Sequence, residues 1–211
     1  IVKIPTKDKN NEKPFNIYDY QAEAVRTWAE NGHCGLFDMA TGTGKTITAL
    51  VALASLYGDR QGNLFVFVVC PYQHLVEQWV EDLDWFGIKP IIAYGDSKQR
   101  DWKKRLREAV LDNKLGLDDA RFICCICTNA TFASDFVQDQ ITKIGHSALL
   151  VADEAHNLGS EQYRKQLSEK FEFRLALSAT FDRHHDEEGT QILRDYFGET
   201  CIRYPIEKAI K

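Results

Sequence analysis

The chain has 211 residues, 44% hydrophobic and 27% charged, with 31 acidic against 26 basic side chains and a formal net charge of −5. That length holds one domain with a full core, and no apolar run is long enough to span a bilayer. Bulk negative charge also weighs against autonomous tight binding to nucleic acid.

Residues 1–14 are polar and lysine-rich and read as a lead-in to one domain over residues 15–211. The start at Ile1, with no signal-like segment, reads as a fragment or processed piece of a cytoplasmic protein. Ala22, Val25 and Ala29 fall at helical spacing, with Trp28 beside them, in a helix over residues 18–30 that Asn31-Gly32 stops. Residues 34–37 form a first core strand, and an apolar-periodic helix follows over residues 47–57. The run 64–70 is continuously apolar, as a strand covered on both faces would be. After Pro71, residues Leu75, Val76, Trp79, Leu83 and Phe86 share one helical face. Strands over 90–94, 121–128, 148–152 and 173–177 alternate with helices over 99–111, 132–141 and 161–170. Such alternation predicts an α/β fold, an open, mostly parallel sheet with helices on both faces.

Between the first strand and its helix lies Met39-Ala40-Thr41-Gly42-Thr43-Gly44-Lys45-Thr46. A glycine-rich turn entering a helix gathers backbone N–H groups and the positive end of the helix dipole, which suits polyphosphate. Lys45 would reach the terminal phosphates, and the Thr46 hydroxyl would sit on Mg²⁺. The usual phosphate-loop spacing puts glycine where this chain has Met39. The strand 148–152 runs into Asp153-Glu154-Ala155-His156, so these carboxylates sit at the ligand-binding edge of an open sheet. Asp153 can hold Mg²⁺, and Glu154 can orient and deprotonate an attacking water; the alternative is a solvated acidic loop.

Thr41–Thr46, Asp153–His156 and Ser178-Ala179-Thr180, in that order, resemble the first RecA-like lobe of superfamily-two helicases and translocases over roughly residues 15–205. A methionine at the first loop position is an accepted variant there. The resemblance implies a RecA-like P-loop NTPase that binds ATP and Mg²⁺. Its catalytic residues are Lys45, Asp153, Glu154 and His156, its metal residues Thr46 and Asp153, and its phosphate loop includes Thr41, Gly42, Thr43 and Gly44. Tyr20-Gln21 looks like the motif in which a glutamine reads adenine, with Tyr18 where an arginine often stands. Ser178 and Thr180 would couple nucleotide state to the nucleic-acid side. Val69-Cys70-Pro71, followed by Leu75, Gln78 and Trp79, and Thr128-Asn129-Ala130-Thr131 resemble motifs whose loops touch the nucleic-acid backbone, through Pro71 and Thr128.

Residues 181–183, Asp186, Gly189, 196–198 and 204–206 are similar to the motors of type III restriction enzymes and excision-repair translocases. That branch implies double-stranded DNA as the track, a second RecA-like lobe C-terminal to this chain, and a possible nuclease or methyltransferase subunit. The competing readings are a non-catalytic nucleotide-sensing module in a nucleic-acid-processing complex and the lobe of an RNA helicase. Lys98, Arg100, Lys103, Lys104, Arg105 and Arg107 surround Trp102. They read either as a DNA-backbone patch or as a solvated helix face paired with Asp101 and Glu108. The six cysteines lack zinc-ligand spacing and read as buried free thiols. His184-His185-Asp186-Glu187-Glu188 reads as an acidic loop rather than a metal site.

Overall fold

The computed structural model describes residues 1–145, 147–180 and 186–205. Seven strands, β1 (Cys34–Met39), β2 (Leu64–Cys70), β3 (Ile91–Ala93), β4 (Phe122–Thr128), β5 (Ala148–Ala152), β6 (Phe173–Ser178) and β7 (Thr200–Tyr204), form one sheet in the order β3-β4-β2-β5-β6-β1-β7. Every pairing is parallel. The eight α-helices among the described residues are α1 (Asp19–Glu30), α2 (Lys45–Asp59), α3 (Gln73–Trp85), α4 (Trp102–Lys114), α5 (Asn129–Phe132), α6 (Asp135–Thr142), α7 (Glu161–Arg164) and α8 (Glu187–Phe197).

Both sheet faces are covered, as the unbroken apolar runs of β2 and β5 require. Along β2, Leu64, Val66, Val68 and Cys70 pack on one side with Trp28, Leu50, Leu53, Trp79 and Leu83 from α1, α2 and α3. Phe65, Phe67 and Val69 face the other side with Trp102, Leu106, Val137, Ile141, Leu193 and Phe197 from α4, α6 and α8. In a parallel βα unit each helix starts beyond the carboxyl end of its strand. The loops after β1, β2, β4, β5 and β6 therefore share one rim.

Two expected helices differ, and two further elements appear. The helix expected over 132–141 is two helices, because Ser134 caps α6 by accepting from the Val137 N–H at 3.4 Å. The helix expected over 161–170 stops at Arg164. Beyond it the chain turns to drive Phe171 into the core, with ring centroids 5.8 Å from Phe67 and 6.3 Å from Phe132. α8 and β7 add two elements where sequence patterning assigned none. Residues 1–14 lie along the end of α3, with Val2 buried and the Lys3 N–H donating to the Phe86 carbonyl at 2.9 Å. Residues 181–185 and 206–211, which carry part of the C-terminal resemblance and the two histidines, lie outside the described residues.

Candidate nucleotide site

The cradle begins where β1 ends. Met39 is the last residue of β1 and is fully buried, so its side chain belongs to the core and the loop proper starts at Ala40. Gly42 and Gly44 have φ of +82° and +80°, a region that glycine enters without strain. A Cβ at Gly44 would come within 2.7 Å of Gln21 Nε2. The loop's carbonyls are held from outside. Tyr20 donates its hydroxyl to the Thr43 carbonyl at 2.9 Å, and the Gly44 carbonyl accepts from Thr48 Oγ1 at 2.9 Å and Gln21 Nε2 at 3.4 Å. Carbonyls fixed this way leave the first-turn amides of α2, which have no intrahelical acceptor, for an anion.

β6 lies between β1 and β5, so the Lys45 and Glu154 backbones start two strand spacings apart, about 10 Å. Their side chains meet across the rim. Lys45 Nζ lies 3.2 Å from Glu154 Oε1, with side-chain exposures of 10% and 28%. Glu154 sits at φ 46°, ψ 52°, left-handed backbone that costs a non-glycine residue on the order of 1 kcal/mol or more. Asp153 is buried, and both its oxygens accept hydrogen bonds: Oδ2 from the Trp79 indole at 2.9 Å, Oδ1 from the Glu154 N–H at 3.0 Å. Burial raises its pKa above the ordinary carboxylate value, opposed chiefly by the Trp79 bond.

His156 links this pair to β6. Its Nδ1 is 3.2 Å from Ser178 Oγ and 3.6 Å from Glu154 Oε2. Asn157 Nδ2 is anchored on the Glu154 carbonyl at 3.0 Å and lies 3.2 Å from His156 Nε2. Ser178 Oγ also accepts from the Thr180 N–H at 3.2 Å. The two predicted motifs thus form one hydrogen-bonded chain.

Lys45, Thr46, Asp153, Glu154, Gln78 and Trp79 share a cleft of about 520 Å³. One ammonium, one hydroxyl and two carboxylates around a helix N-terminus form a donor set that fits a magnesium-bound polyphosphate. Gln21 lies behind the loop instead, 4% exposed. Its Oε1 accepts from the Tyr18 N–H at 2.9 Å, and its Nε2 donates to Thr48 Oγ1 at 3.0 Å. Pro71 follows β2 and Thr128 ends β4, on neighbouring strands at the rim, and the Thr128 hydroxyl caps α5 by accepting from the Thr131 N–H. Trp79 was legible as a core-facing helix residue and as part of the motif that follows β2, not as the partner of Asp153. A buried indole N–H needs an acceptor, but which carboxylate meets it is set by the fold.

An all-parallel sheet with this loop, acidic pair and Ser178–Thr180 link has the RecA-like fold of helicase lobes. Residues 14–183 match the family described as type III restriction enzyme, res subunit, and the chain belongs to that family. Comparison with curated proteins finds no match. Among solved structures, a nuclease-deletion mutant of the type ISP restriction-modification enzyme LlaGI, in complex with a DNA substrate mimic, superposes with a TM-score of 0.69 at 20% identity. That match covers 93% of this chain and 20% of LlaGI. The UvsW helicase from bacteriophage T4 gives 0.61 at 18% identity, covering 94% and 62%. The SWI2/SNF2 ATPase core of Sulfolobus solfataricus in complex with double-stranded DNA gives 0.58 at 20%, covering 85% and 36%. At these identities the likeness is one of fold. Among the described residues no helix is long and apolar enough to cross a membrane.

Proposed function

We propose that this chain binds ATP as one half of a motor that couples ATP hydrolysis to movement on double-stranded DNA. The observation that carries the reading is the meeting of Lys45 with Glu154 in the cleft that also holds Thr46 and Asp153. The γ-phosphate would take the Lys45 ammonium from Glu154, releasing that carboxylate to hold water and accept its proton. Thr46 and Asp153 would hold Mg²⁺, which when bound neutralises charge on the phosphate oxygens. Gln21 would act through the loop it braces, and His156 would pass the state of Glu154 to Ser178 and Thr180. Pro71 and Thr128 would stand beside the DNA backbone.

LlaGI was solved with a DNA substrate mimic and the SWI2/SNF2 core with double-stranded DNA, which supports duplex DNA as the track. A second RecA-like lobe would supply the arginine finger, which can be worth about 10³ to 10⁵ in rate, so turnover by this lobe alone should be weak. A nuclease or methyltransferase partner and a reducing cytoplasm are consistent with the family and with six free thiols.

Calorimetric titration with Mg·ADP tests the site. Lys45→Ala should weaken binding about 10- to 100-fold, the loss of a charge-assisted contact. Glu154→Gln should retain binding while abolishing hydrolysis in the two-lobed motor. Unchanged affinity in Lys45→Ala would remove the cradle from its role.

A further inference from the structure

The strand-end rim runs from the phosphate cleft past β5, β2 and β4 to the β3 edge. Along it come Asp153, then Pro71 with Tyr72 (59% exposed), then Thr128. At the far end the first turns of α4 and α6 bring together a cluster that the nucleotide site does not use. Lys103 Nζ lies 5.6 Å from the ring centroids of both Trp102 and Phe136, and the Arg107 guanidinium carbon lies 5.7 Å from Phe136. Trp102 is buried in the core, Phe136 is half-buried, and both cations are exposed.

Of the two readings of this basic run, the structure separates the residues. Lys104 lies 3.8 Å from Glu108, one helical turn on, in an exposed ion pair and over no ring among the described residues. Lys103 and Arg107 make no salt bridge among the described residues and rest over an aromatic ring. An aromatic face holds a cation less firmly than a phosphate oxygen does, so these two charges are positioned yet exchangeable. Phe136 follows only two residues after Ser134, the cap that continues the Thr128–Thr131 turn.

We propose that Lys103 and Arg107, set by Phe136, extend the DNA-backbone track from the Pro71 and Thr128 loops to the β3 edge of the sheet. The proposal rests on the reading of the chain as a DNA motor lobe. Each backbone contact releases counterions, so it appears in the slope of log affinity against log salt. The experiment is equilibrium binding of this chain to a fluorescent duplex over a salt series. Lys103→Ala/Arg107→Ala should flatten the slope by about 1.8, two phosphates at about 0.9 each. Lys104→Ala, at a cation that no aromatic ring positions, should leave it unchanged. Phe136→Leu, which removes the ring and keeps an apolar side chain, should flatten it partially.

A double variant with the wild-type slope overturns the extended track and leaves the motor reading standing. Equal flattening by Lys104→Ala also overturns it, by showing a diffuse charge effect. Absence of salt-dependent duplex binding by the wild-type chain overturns the DNA reading and the extended track together.

Discussion

Asp153 shows what a single buried carboxylate does to this fold. Its folded pKa is raised, so the folded state holds its proton more firmly than the unfolded chain does. The stability this group contributes is present in acid and is lost as pH rises through the folded pKa. Against Asp153→Asn, the wild type should therefore lose stability from about pH 4 upward and level off above the folded pKa. Urea midpoints without divalent cations measure the difference, and a parallel pH profile would contradict it. Gln21 poses a second test, because its amide is bonded to Tyr18 and Thr48. Gln21→Ala should weaken Mg·ATP and Mg·GTP binding alike, by about 5- to 10-fold, because the loop loses its brace on the Gly44 carbonyl. Direct adenine reading would instead collapse the preference between them. Sequence exposed Gln21 and Asp153 through their motifs, but the direction of each side chain depends on contacts tens of residues away.

The elements themselves were unevenly legible. β2 spans the seven residues of its apolar run, because a strand buried on both faces announces its own ends. α8 carried readable signals: the Asp186 cap on the Gly189 N–H, acids in the first turn, and Leu193, Tyr196 and Phe197 on one face. β7 is too short and too polar to announce itself; its partner is β1. That pairing makes Gly35 intolerant. A Cβ there would overlap Cys201 Sγ and come within 3.0 Å of the Glu199 carbonyl. Gly35→Ala should cost about 1–3 kcal/mol in urea unfolding. It should also weaken nucleotide binding, since the Ala40 N–H at the root of the phosphate loop donates to the Tyr204 carbonyl. Gly58→Ala is the matched control: an exposed helical glycine with nothing within 4 Å of the added Cβ, it should stabilise by about 0.4–1 kcal/mol.

At the scale of the whole molecule, the two covered sheet faces seal in most of the thiols. All six cysteines are free, and burial pushes Cys124 up to about 12 and Cys201 up to about 11. A thiol reagent near pH 8, below the ordinary cysteine pKa of about 8.5, should label at most the half-buried Cys34. The remaining five should react only as urea unfolds the chain; rapid native labelling would mean that the sheet opens locally. The strand order also sets a timetable. β1, which carries the phosphate loop, pairs only with β6 and β7. Contacts such as Cys34 with Glu172 and Asp38 with Arg203 span 138 and 165 residues. At about 5–20 residues per second, a ribosome leaves β1 without a neighbouring strand for roughly 7–30 s. Through that interval its apolar edges need shielding, and the nascent chain acquires its nucleotide cradle among the last parts of the fold to close.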